Sequence, residues 1–115
     1  MRAHRVIIHG RQGPVMLVTA DGSVDCQSDP GEQELLVRDL HHCEALCALA
    51  ALAPGGALVL KMFTLYENPT VALLYLLGCH FAELHVCKPA ASKGGNAETY
   101  VVGKGQCVHV RSLCC

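Results

Sequence analysis

Gly55-Gly56-Ala57-Leu58-Val59-Leu60-Lys61-Met62-Phe63 is the stretch on which the fold turns. Two glycines open it, an apolar run follows, and a single lysine interrupts that run near its end. A short apolar run bounded by turn residues suits a strand covered on both faces, as in a parallel sheet. Lysine is among the residues least often buried without a partner. Lys61 therefore implies either a partner at the strand end or a stem that carries its ammonium to water.

Working outward, Val15 to Ala20 is a second such run, bounded by Gly13-Pro14 and Asp21-Gly22. Asp29-Pro30-Gly31-Glu32 reads as a helix start, with Asp29 as N-cap, Pro30 at the first helical position and Glu32 completing a box-like pair. The helix is expected to reach about Leu52. Leu36, Leu40, Cys43, Cys47 and Ala50 form its apolar stripe, and Arg38, Asp39, His41, His42 and Glu44 fill the remaining face near its start. Pro54-Gly55-Gly56 stops it. Downstream, Asn68-Pro69 caps a second helix that ends near Gly78 and turns Val71, Leu74 and Leu77 inward. Ala82 to Cys87 and Ala97 to Val102 read as the last two strands, with Gly103-Lys104-Gly105 a turn after them, as Gly10-Arg11-Gln12-Gly13 is a turn before the first.

The order strand, helix, strand, helix, strand, strand predicts an α/β architecture with a parallel core, its last two strands closing as an antiparallel hairpin. Residues 17–102 carry this pattern; residues 1–16 and 103–115 are unplaced. On this reading the strand Val15 to Ala20 lacks an outer neighbour, and its open apolar edge is expected to recruit other chains.

Composition narrows the remaining choices. At 115 residues and 51% hydrophobic content the chain makes one domain with ample core. A net charge of −1 supplies no global field for nucleic acid, so any such contact is local. The cysteines at 26, 43, 47, 79, 87, 107, 114 and 115 contain no Cys-x-x-Cys pair. Val6-Ile7-Ile8 is too short for a signal-peptide core, which favours a reducing compartment, cytoplasm and/or nucleus. The apolar stretch from Ala45 to Ala53 is too short to cross a bilayer, so no membrane partner is expected. His41-His42-Cys43 with Cys47 invites zinc, but the proposed stripe buries those thiols, and no metal is expected.

Three ionisable groups stand at strand ends: Asp21, Lys61 and Glu98. Taken singly, Asp-Gly is a common turn and Glu98 suits a solvated strand edge. In that order and spacing, however, they resemble three members of the Lys-Asp-Lys-Glu tetrad of FtsJ-type RNA 2'-O-methyltransferases. The resemblance runs from about Leu17 to Val102 and implies a partial Rossmann-like methyltransferase sheet, the C-terminal half of the catalytic domain. It implies S-adenosyl-L-methionine as cofactor, with Asp21 serving both it and catalysis. Capped mRNA is the implied partner, methylated on the ribose of the second transcribed nucleotide.

A ribose hydroxyl is a very weak acid, and an unperturbed lysine, at about 10.4, is protonated and cannot accept its proton. In the resemblance Lys61 is the central group, Asp21 and Glu98 orient it, and a further lysine tunes it. No lysine precedes Lys61 in this chain. The loop from Lys88 to Asn96 offers Lys88, Ser92, Lys93 and Asn96 for RNA contacts, although glycine, serine and lysine also dominate ordinary loops. The glycine-rich turn that holds such a cofactor after a first strand has no counterpart here. The chain alone is therefore expected to be an inactive part of such an enzyme; the alternative is a non-catalytic RNA-binding or regulatory remnant of that family.

Overall fold

A computed structural model describes residues 13–23 and 33–107 in full and residues 6–9 by their backbone. The elements are β1 (Val6–His9), β2 (Val15–Ala20), α1 (Gln33–Ala51), β3 (Leu52–Met62), α2 (Asn68–His80), β4 (Phe81–Cys87) and β5 (Thr99–Gln106). They build a 5-stranded sheet in the order β1-β2-β3-β5-β4. β2 and β3 are parallel, with Val18 beside Leu58 and Ala20 beside Leu60. β5 inserts between β3 and β4 and runs antiparallel to both. The expected α/β order and closing hairpin are both present. The start proposed at Asp29 lies outside the described residues, as do Gly10 to Gln12 and cysteines 26, 114 and 115.

β1 changes the reading of the β2 edge. Val6 stands opposite Ala20 and His9 opposite Leu17 in an antiparallel pair, so the edge expected to be open is hydrogen-bonded. Only pairing makes a strand of so short an apolar run.

The Pro54-Gly55-Gly56 segment lies within β3 rather than ending α1, which stops at Ala51. Val15 pairs with Leu52 but Leu17 with Ala57, so the intervening residues form an irregularity in the ladder. Gly55 has φ 81°, a conformation that costs glycine little. Gly103-Lys104-Gly105 likewise belongs to β5 and is not a turn. A Cβ at Gly103 would come within 2.6 Å of the Phe81 ring. The missing side chain gives that ring its place.

One face of the sheet supplies Val18, Ala20, Leu58, Leu60, Met62 and Val101 to the core, and both helices cover it, α1 with Ala45, Ala48 and Leu49 and α2 with Leu73 and Leu77. Each large side chain so buried contributes roughly 1.5–3 kcal/mol. Tertiary packing overrides the expected helix faces. The buried face of α1 is Glu34, Val37, His41, Glu44, Ala45, Ala48 and Leu49, whereas Leu36 is 48% exposed and Cys43 and Cys47 are exposed. Small Ala45 and Ala48 let the helix lie close to the strands, and its polar side chains reach turns at the sheet edge. In α2 the buried residues are Thr70, Leu73 and Leu77, and Val71 faces outward. Its N-cap is Glu67, whose side chain makes no capping bond, rather than Asn68.

Candidate active site

Because β2 and β3 are parallel, Asp21, just beyond β2, and Lys61, near the end of β3, lie at the same carboxyl edge. Glu98 immediately precedes β5, which is antiparallel to β3, and reaches that edge from the other side. Active sites of open α/β sheets form along this edge.

The Lys61 ammonium forms an ion pair with Asp21 Oδ1; the lysine side chain is 10% exposed and that of Asp21 66%. This answers the question raised by a lysine in an apolar strand. The pair is half in water: the ammonium is largely withdrawn while the carboxylate stays open to an incoming group. The Lys61 Nζ also stands 5.7 Å from the centroid of the Phe63 ring, within the range of a cation–π attraction.

Glu98 shares the edge but does not join the ion pair. Its Oε2 accepts from Asn96 Nδ2 at 3.2 Å. Lys88 Nζ donates to Asn96 O at 2.7 Å, Asn96 Oδ1 at 3.0 Å and Glu98 O at 3.1 Å, and Ser92 Oγ donates to Asn96 Oδ1 at 2.8 Å. Three of the four side chains expected to meet RNA thus brace their own loop and, through Asn96, orient Glu98. The Lys93 side chain is exposed and stays outside this network, while its carbonyl accepts the Asn96 N–H at 3.2 Å.

Composition and stripe reasoning missed residues that line the edge. Tyr100 stands opposite Lys61 across the β3–β5 pair. His41 of α1 stacks on Phe63, ring centroids 6.1 Å apart at 26°. Burial, followed by the charge of Lys61, pushes the His41 pKa down to about 4, which leaves the ring neutral at physiological pH. Glu44 Oε1 accepts the Gly22 N–H at 2.8 Å. Glu34, 6% exposed, accepts from the Thr64 hydroxyl and from two backbone N–H groups of the turn after β3. Burial opposes ionisation of Glu34, but hydrogen bonds from Thr64, Thr70, Glu67 and Tyr66 outweigh it and hold the carboxyl below its ordinary pKa. Glu34, His41 and Glu44 recur with Val37 and Ala48 at near-heptad spacing, a signal available in the sequence to a reader who weights alanines as packing residues.

The described residues contain no group of three or more His, Cys, Asp or Glu side chains able to hold a metal ion. No helix among them is long and apolar enough to cross a membrane.

A mixed α/β sheet with a lysine–carboxylate ion pair at the carboxyl edge of adjacent parallel strands defines a Rossmann-like protein. A family model for FtsJ-like methyltransferases matches residues 2–106, and the chain belongs to that family. It is 63% identical over 89 residues to cap-specific mRNA (nucleoside-2'-O-)-methyltransferase 2 of Mus musculus, a match covering 77% of this chain and 12% of that protein. The corresponding protein of Drosophila melanogaster is 54% identical over 91 residues, 79% of this chain and 13% of the relative. A probable methyltransferase of African swine fever virus is 40% identical over 93 residues, 81% of this chain and 22% of the viral protein. The chain thus spans about an eighth of the animal relatives' length. Among solved structures, a putative ribosomal RNA methyltransferase from Plasmodium falciparum shares the fold with a TM-score of 0.67 at 21% identity, over 83% of this chain and 48% of that one.

Proposed function

We propose that this chain carries the acid–base end of the active site of an S-adenosyl-L-methionine-dependent mRNA cap 2'-O-ribose methyltransferase acting on the second transcribed nucleotide, in the nucleus or cytoplasm. The observation that carries the reading is the Asp21–Lys61 ion pair in a chain of this family. Lys61, oriented by Asp21 and by Glu98 at the same edge, holds the acceptor hydroxyl and manages its proton. Of the four loop residues proposed to meet RNA, Lys93 offers a phosphate the free cation, while Lys88, Ser92 and Asn96 keep the loop in shape for it.

The cofactor fits only in part. Asp21, open to solvent, can hold the positively charged amino end of S-adenosyl-L-methionine, which when bound supplies the electrophilic methyl group. The described residues include no glycine-rich strand–turn–helix to cradle the rest, so the chain alone is inactive.

Two measurements test this. Calorimetric titration of the chain with S-adenosyl-L-methionine is expected to show no binding, and micromolar affinity would overturn the inactivity. The chain is then grafted into the mouse relative in place of the matching segment. The graft is expected to methylate capped RNA, and Lys61→Ala to abolish transfer while cofactor affinity stays within about twofold. A graft that binds cofactor and RNA but transfers nothing would identify a non-catalytic remnant.

A further inference from the structure

The buried face of α1 carries two carboxylates, and each grips a turn that follows a strand of the site. Glu44 accepts the N–H of Gly22 at 2.8 Å, the residue after Asp21. Nothing larger than glycine fits there unchanged, because a Cβ would stand 2.5 Å from Glu44 Oε1 and 2.9 Å from Leu40 Cδ2. Glu34 Oε2 accepts the Thr64 hydroxyl at 2.6 Å and the Tyr66 N–H at 3.1 Å, and its Oε1 accepts the Glu67 N–H at 2.7 Å. This is the segment that leads from Lys61 into α2. That helix has no side-chain cap of its own, so Glu34 satisfies backbone donors that would otherwise be orphaned, and its charge sits where the helix dipole favours an anion.

We infer that Glu34 and Glu44 are positioning residues: from one rigid helix they fix the turns on either side of the Asp21–Lys61 pair, and so set the geometry at which Lys61 meets the acceptor hydroxyl. The inference rests on the catalytic reading given under Proposed function. A carboxylate is required because every group around Glu34 is a donor. An amide in either orientation turns its NH2 toward at least one N–H, so Glu34→Gln keeps the shape and breaks the clamp. Thr64→Val removes one donor from the opposite side of the contact without touching α1.

Amide hydrogen exchange on the full chain reads the clamp directly. Glu34→Gln is expected to speed exchange at Tyr66 and Glu67 at least about tenfold, the equivalent of one lost hydrogen bond, with Gly22 and the amides of β3 unchanged. Thr64→Val should give the same local pattern, smaller in size, and Glu44→Leu, which keeps bulk but leaves no acceptor, should speed exchange at Gly22. Uniform acceleration across the sheet, or none at these amides, would overturn the clamp.

In the graft, Glu34→Gln is expected to lower kcat about tenfold or more while KM for RNA and for cofactor changes less than twofold. Unchanged kcat beside locally lost protection would leave Glu34 merely structural and sink its positioning role. An inactive graft would count against the catalytic reading and so against positioning for catalysis, while the exchange pattern would still decide whether the two carboxylates hold these turns.

Discussion

Acid should unfold this protein through His41. Its ring is 3% exposed, and its Nε2 has no hydrogen-bond partner among the described residues. Burial first, then the positive charge of Lys61 and of His42, lower its pKa from 6.5 to about 4; Glu34 alone pulls the other way. The sign follows from proton counting. Between about 4 and 6.5 the unfolded chain binds a proton at this position that the folded chain refuses, so stability is full above pH 6.5 and falls as the pH drops. At 1.36 kcal/mol per pH unit the whole interval amounts to roughly 3 kcal/mol, of which roughly 2 kcal/mol is lost by pH 5. Urea unfolding of the chain at pH 7.5 and pH 5.0 measures it. His41→Phe keeps a ring against Phe63 and removes the proton site, so the variant should lose far less stability over this interval, and every other titrating group cancels in the comparison. Glu34, whose depressed pKa matters only as the pH falls below the ordinary glutamate range, does not intrude at pH 5. Equal losses in wild type and His41→Phe would refute the argument.

Other outcomes follow from close contacts. Gly103→Ala should destabilise by about 1–3 kcal/mol, since its Cβ would meet the Phe81 ring at 2.6 Å. Phe81→Leu should lessen that cost in the double variant, a coupling that a double-mutant cycle in urea detects; additive effects would mean that the strand shifts instead. Gly22→Ala should break the Glu44 contact, costing about 1–3 kcal/mol and speeding amide exchange at residue 22. Unchanged exchange there would show that Glu44 follows the new methyl group. Expressed alone, the chain should neither bind S-adenosyl-L-methionine in calorimetry nor transfer methyl to capped RNA, because the described residues include no glycine-rich strand–turn–helix to cradle the donor.

Local sequence was enough for the elements from β2 to β5 and their order. Apolar runs bounded by glycine, proline and Asp-Gly give strands, longer periodic segments give helices, and a lysine inside an apolar strand demands a partner, which Asp21 supplies. These are properties of a residue and its near neighbours. Pairing is not. Val6-Ile7-Ile8 is a strand because β2 lies beside it, and Pro54-Gly55-Gly56 is an irregularity within β3 because the parallel ladder resumes at Ala57. Gly103 is mid-strand because Leu58 and Leu84 pair with it on either side, and the Phe81 ring lies over it. The face of α1 was likewise decided by tertiary structure. Its leucine and cysteine stripe is as apolar as a core stripe, yet the two alanines approach the sheet more closely, and the donors of two turns offset the cost of burying Glu34 and Glu44. Periodicity sees how apolar each face is; it cannot see which backbone groups, brought together by the fold, are waiting for an acceptor.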